Sequence, residues 1–152
     1  MDKVLKIQNL IRESKNIVFL TGAGISTNSG LPDFRSDNGF WKTNKPIMFR
    51  DFLSSHEARQ LSWERNIALN ETIERIKPNK GHLFVKEVLD KKDGFIITQN
   101  IDGLHHRSGI DSERIIEVHG NATKAKCLDC DRELSLKPFH RAISNNEEIP
   151  NC

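Results

Sequence analysis

Residues 21–35, TGAGISTNSGLPDFR, follow directly on the apolar run Ile17-Val18-Phe19-Leu20 and put two glycines, Gly22 and Gly24, at the end of what reads as a β-strand. A strand that turns tightly into a helix presents backbone amides and the positive end of a helix dipole, the two things a phosphate needs. Glycine suits that turn because, lacking a Cβ, it adopts positive φ and lets a pyrophosphate touch the backbone. Ser26 and Thr27 are candidates to cap the helix that follows. The third glycine of the dinucleotide fingerprint is Thr27 here and no acid follows at the end of a second strand, so the pair alone is equally an ordinary strand-to-helix turn. Asp33, Phe34 and Arg35 add an acid and a base around an aromatic, able to pair with a ribose or phosphate while the ring covers an apolar face; the alternative is a surface ion pair around one buried phenylalanine.

Outward from that stretch, helical and strand periods alternate. Val4, Ile7, Leu10 and Ile11 recur at helical spacing behind Asp2, predicting an amphipathic first helix with an aspartate cap. Residues 32–52 scatter proline, glycine, asparagine and aspartate among isolated aromatics and read as a long functional loop. Ser54 and Glu57 have capping-box spacing and open a helix toward Ile76, stopped by Pro78. A shorter helix spans about Gly81 to Leu89, Asp93-Gly94 turns the chain into a second strand at Phe95–Thr98, and Arg114–Val118 reads as a third. The prediction is an α/β fold, a Rossmann-like parallel sheet with helices on both faces. Residues 1–123 form its dinucleotide-binding portion, with the loop and helical segment, and 124–152 the start of a small metal-binding insertion, where apolar density drops and cysteines appear.

Ligands of open α/β sheets bind past the carboxyl ends of the strands, which is where TQNIDGLH, Thr98 to His105, begins. Gln99, Asn100 and Asp102 offer two amides and a carboxylate, a density that is costly to bury unless it is used. Its plainer reading is a polar loop capping the next helix through Asp102 and Ser108. His105 and His106 read as structural or solvated. His119, in VHG at Val118–Gly120, follows the third strand with room beside it; imidazoles titrate near neutrality and serve as proton acceptors, although a satisfied structural histidine is the plainer alternative.

Cys127-x-x-Cys130 is half of a tetrahedral zinc site, and Cys152 follows at about the distance of a second pair. A redox pair competes, but no thioredoxin-like context surrounds it, which favours structural zinc. An odd set of three cysteines, the first pair closely spaced, fits metal binding in a reducing compartment better than a disulfide framework. Lysine and arginine number 23 against 21 acids, a net charge of +2, so no concentrated basic face marks a nucleic-acid binder. The apolar runs are too short for a membrane span or a signal-peptide core. The expectation is a cytoplasmic protein without nucleic-acid or membrane partners.

GAGIS, GLPDFRS, TQNIDGLH, VHG and the Cys-x-x-Cys pair, in that order, resemble the sirtuins, NAD-dependent protein deacylases. The resemblance runs from about Asn16 to Cys152 and implies a deacetylase that transfers an acyl group from lysine in a protein or peptide to ADP-ribose and releases nicotinamide. NAD is then a co-substrate and zinc a structural ion. It implies that Gly22, Ala23, Gly24, Ile25 and Ser26 contact the pyrophosphate, and that Asp33, Phe34, Arg35 and Trp41 belong to the cofactor loop. Gln99 and Asn100 would contact the nicotinamide ribose, Ile101 and Asp102 the carboxamide, and His119 would be the general base, with Asn100 and Asp102 in the catalytic set. Cys127, Cys130 and Cys152 would be zinc ligands. Pro78-Asn79 with His82 resembles the segment before the helix beneath that site. Sirtuins continue past the zinc module to a Gly-Thr-Ser turn, so the sequence reads as part of a catalytic domain. Sirtuins that remove acidic acyl groups carry Tyr-x-x-Arg, where this chain, without tyrosine, has Trp63-Glu64-Arg65-Asn66, leaving deacetylation as the default. The same glycosidic chemistry also suits an ADP-ribosyltransferase or NAD-degrading enzyme, and a non-catalytic zinc- and NAD-binding module is the remaining alternative.

Overall fold

Asp2 opens the fold as its position suggests: its carboxylate accepts from the Val4 amide at 3.1 Å and caps α1, Lys3–Glu13. The computed structural model describes residues 2–37 and 39–152, the side chains of Trp41 and Thr43 excepted. β1, Asn16–Thr21, leads through a 3₁₀ helix at Ala23–Ser29 to four α-helices: α2 Phe40–Thr43, α3 Phe49–Ser54, α4 His56–Arg75 and α5 Lys80–Lys91. β2, Asp93–Thr98, then runs parallel to β1, with Asn16 opposite Asp93 and Thr21 opposite Thr98. After α6, Leu104–Arg107, β3 at Ile115–Glu117 runs parallel to β2, giving the order β1-β2-β3. Parallel neighbours need long crossovers, and the helices supply them. No helix among the described residues is long and apolar enough to cross a membrane.

Two expectations change. The stretch 32–52 is not one long loop, since α2 lies within it and α3 begins in it. The cap of α4 is Ser55, one residue later than expected: its hydroxyl oxygen accepts from the Ala58 amide at 3.1 Å and its proton goes to Glu57 at 2.7 Å, while Ser54 bonds back to the Arg50 carbonyl inside α3. Both serines fit the composition of a cap, and only Ser55 has the extended backbone that a cap requires.

Apolar alternation decides which side of the sheet is closed. Val85 and Leu89 of α5 pack with Ile96, Ile110 and Ile115, and Phe19 and Ile25 join the same core. Val18, Leu20, Ile116 and Val118 point the other way and are exposed. Gly94 lets β1 and β2 approach: its φ is +148°, and a Cβ there would lie 1.8 Å from the Ile17 carbonyl oxygen. Arg114 ties the preceding turn down by donating to the carbonyls of Leu89, Lys92 and Gly94, each at 2.8 Å.

Beyond the sheet, Ala125–Lys126 (β4) and Glu133–Leu134 (β5) pair as an antiparallel hairpin, followed by α7, Lys137–Ser144. α7 docks on α4 through Trp63 and Phe139, whose rings stack 4.8 Å apart and nearly parallel, and through His140 Nε2, 2.9 Å from Asn66 Oδ1. The side-chain amides of Asn66 and Asn70 both donate to the Ala122 carbonyl, which fixes the turn leading into the hairpin.

Candidate functional site

The pairing of Thr21 with Thr98 brings the two signature loops side by side, and the Gln99 amide donates to the Thr21 carbonyl at 3.0 Å just past it. Gly22 has φ −139°, an extended conformation, and neither it nor Gly24 is left-handed; positive φ falls instead at Gly30. The loop therefore gains open space from its glycines. A Cβ on Gly24 would meet nothing within 4 Å, and one on Gly22 would meet only Gln99 Oε1 at 4.0 Å.

Ser26 does not cap a helix. It is buried, and its hydroxyl donates to Asp102 Oδ2 at 2.7 Å while accepting from the Asn100 side-chain amide at 3.1 Å. The other Asp102 oxygen accepts from the Leu104 amide at the start of α6, whose N-cap is Gly103, so this carboxylate both holds the start of that helix and grips the glycine loop. Ser108 sits at the far end of α6, donating to the His105 carbonyl. Thr27 bonds back to the Gly24 carbonyl. Asn100 Oδ1 is buried without a hydrogen-bond partner among the described residues. A buried acceptor left open beside an open backbone suits a ligand that brings a hydroxyl or amide donor.

Two histidines lie beneath this cluster. His82 Nδ1 accepts from the Asn79 backbone amide at 3.3 Å, which puts the ring proton on Nε2, 3.5 Å from Ser26 Oγ. Asn79 also reaches the glycine loop, donating to the Ile25 carbonyl and Ser29 hydroxyl. His105 is buried against His82, ring centroids 5.0 Å apart, with Nε2 2.9 Å from Thr21 Oγ1. Burial lowers both pKa values against the opposing pull of Asp102, and burial first, then His82, brings His105 down to about 4. His106, by contrast, is half-buried and spans Ser112 and Glu117, each at 3.2 Å.

The remaining expected site residues are placed as follows. Asp33 accepts from the Arg35 and Ser36 amides rather than pairing with the Arg35 guanidinium, and those contacts, Ser36 first, lower its pKa. Phe34 meets Phe40 edge-on at 6.3 Å, and Arg35 is exposed. The Trp41 side chain lies outside the described residues. Ala23, Ile25 and Ile101 are half-buried, and the Ile101 carbonyl accepts from Ala122. Gln99 is exposed. His119 stands exposed in the turn after β3, where the Gly120 amide closes on the Glu117 carbonyl and Val118 bonds to the Thr98 carbonyl. Met48 and Phe49 are exposed. Trp63 stacks on Phe139, and Arg65 donates to the Lys45 carbonyl at 2.8 Å.

The hairpin turn between β4 and β5 carries Cys127 and Cys130, and the Sγ atoms of Cys127, Cys130 and Cys152 all lie within 4.8 Å of one another. Amides of Cys130 and Asp129 lower the Cys127 pKa, whereas sharing protons with Cys130 and Cys127 raises Cys152 to about 11. Three thiols so close do not ionise together without a cation between them, and sulfur donors at this spacing suit zinc.

The family model of the Sir2 family matches residues 22–152. The chain belongs to the Sir2 family. Among curated relatives, the Sir2-family chain is 43% identical over 150 residues to NAD-dependent protein deacetylase 1 of Bradyrhizobium diazoefficiens, covering 98% of this chain and 59% of the relative. It is 41% identical over 122 residues to an NAD-dependent protein deacylase of Aquifex aeolicus, covering 80% of this chain and 50% of the relative. A Sir2 structure with a deacetylated p53 peptide and 3′-O-acetyl ADP-ribose superposes with a TM-score of 0.79 at 33% identity, over 99% of this chain and 60% of that one. A Sir2–p53 peptide–NAD+ structure gives 0.76 at 31% identity, over 94% and 56%. The chain thus spans between half and three fifths of the length of these Sir2 proteins.

Within this Sir2-family site, His105 is structural, one of the two readings its sequence context allowed, and His82 is a buried neighbour of Ser26 that the site set omits. Asn79, three residues before His82, carried the available signal: N-x-x-H closes a capping box that turns the ring toward the glycine loop.

Proposed function

We propose that this chain carries part of an NAD-dependent protein lysine deacetylase, which transfers an acyl group from lysine to ADP-ribose and releases nicotinamide. The supporting observation is the buried Ser26–Asp102–Asn100 cluster at the carboxyl end of the parallel sheet, with the Asn100 amide oxygen unpartnered. Bound NAD supplies the nicotinamide–ribose bond whose cleavage makes the acyl transfer possible. Residues 22–26 offer backbone to its pyrophosphate, and Gln99 and Asn100 offer amides to the ribose. Asp102 and Ile101 hold the carboxamide, and Asp33, Phe34, Arg35 and Trp41 belong to the segment over it. His119, exposed at the end of β3, takes the proton from a ribose hydroxyl, and its neutral form is the competent one. Three zinc-binding thiols brace the small unit, which we divide from the nucleotide-binding part after residue 123, and their unpaired state suits the reducing cytoplasm. Acetylated-lysine proteins or peptides are the substrates.

The test is nicotinamide and O-acyl-ADP-ribose formation from NAD with an acetylated peptide, using the protein and its His119→Ala variant. Acyl transfer lost in the variant supports the reading. NAD breakdown that proceeds equally without acyl-lysine favours an ADP-ribosyltransferase or NAD-degrading enzyme instead.

A further inference from the structure

His105 lies outside the residues assigned to NAD, yet it is the first link in a line of hydrogen bonds that ends on one of them. Its Nε2 is 2.9 Å from Thr21 Oγ1, Thr21 Oγ1 is 2.9 Å from Thr98 Oγ1, and Thr98 Oγ1 accepts from the Asn100 backbone amide at 3.1 Å. Proton placement follows from what stays unpaired. With Thr21 donating to Thr98, its oxygen accepts from His105 Nε2–H, and the buried Nδ1 carries only a lone pair without a partner. The reverse assignment would bury an N–H with no acceptor, which proteins avoid more strictly. The ring is held from the other side by His82 of α5, with Asp102 and His106 the other titratable groups that act on it.

Thr21 and Thr98 are register partners and the last residues of their strands. Whatever fixes their hydroxyls fixes the separation of the two loops that begin at Gly22 and Gln99. We propose that His105 is a positioning residue: through Thr21 and Thr98 it locks both strand ends and the Asn100 backbone into one unit, so that the unpartnered Asn100 side-chain oxygen stays aimed at the nucleotide. This rests on the NAD reading above. An apolar ring of the same bulk would fill the space but leave the Thr21–Thr98 pair free to rotate, loosening Asn100 without opening a cavity.

The experiment compares the native chain with His105→Phe, His105→Gln, Thr21→Val and the Phe/Val double variant, reading amide hydrogen exchange at Asn100 and Ile96 together with NAD affinity by calorimetry. His105→Phe and Thr21→Val should each speed exchange at Asn100, leave Ile96 in the strand interior unchanged, and weaken NAD binding roughly tenfold. The double variant should be no worse than either single one, because both cut the same line, and glutamine, which keeps an N–H within reach, should restore much of both signals. Unchanged Asn100 protection beside measurable NAD binding, or additive losses in the double variant, overturns the proposal and leaves the NAD reading intact. If the native chain binds no NAD while Asn100 still responds, the nucleotide role is overturned and only the hydrogen-bond line stands. Thr21→Val, close to isosteric, decides the matter should the ring replacement unfold the chain.

Discussion

Ser26 and Asp102, 76 residues apart in sequence, meet through a 2.7 Å hydrogen bond with both side chains buried. Ser26→Ala strands three partners at once: a carboxylate oxygen of Asp102, the Asn100 amide and the His82 Nε2–H. A loss of about 1–3 kcal/mol in urea unfolding is expected, with weaker NAD binding. A change below about 0.5 kcal/mol, the size of an ordinary surface substitution, would show that the cluster does not couple the two loops.

Acid should weaken the fold through the buried histidines. Both have folded pKa values below the unfolded value of 6.5, so between that value and the folded one the unfolded chain binds more protons. Their stabilising contribution is whole above pH 6.5 and is lost as pH falls below it, for His105 toward about 4, by up to roughly 1.4 kcal/mol per pH unit for each proton. Unfolding free energy measured from pH 7.5 to 4.5 should show this slope, and His105→Gln should flatten it. A slope unaltered by that substitution assigns the acid sensitivity elsewhere.

Much of the fold is legible because its signals are local. The Asp2 cap and the apolar run of β1 each need only a few consecutive residues. α2 and α3 escaped notice because four- and six-residue helices are too short to establish a period, and the prolines and asparagines around them read as loop. For the site, the loops were legible and their couplings were not. Ser26 meets His82 across 56 residues and Thr21 meets His105 across 84, and no spacing in the sequence encodes such pairs.

Gly94 tolerates no side chain. With a Cβ 1.8 Å from the Ile17 carbonyl oxygen and φ at +148°, Gly94→Ala must push β2 away from β1 at the start of their pairing. The expected outcome is a chain recovered mainly in the insoluble fraction, or unfolding at clearly lower urea. A variant as stable as the parent would mean that the two strands do not pair in this register.

Zinc should bind the three-thiol cluster with release of protons, detectable as one equivalent of metal after dialysis and as acidification of an unbuffered sample. Cys130→Ser should abolish retention and expose the β4–β5 turn to proteolysis. Because α7 is held by the Trp63–Phe139 stack and not by thiols, its helicity should survive chelation, whereas Phe139→Ala should release it at a cost of about 3–5 kcal/mol. Metal retained fully by Cys130→Ser would rule the cluster out.

Val18, Leu20, Ile116 and Val118 line the side of the sheet turned away from α5, and water meets them directly. Surfaces of this kind cohere, and cohesion grows with concentration. The melting temperature and nucleotide affinity of this polypeptide are therefore expected to shift with protein concentration.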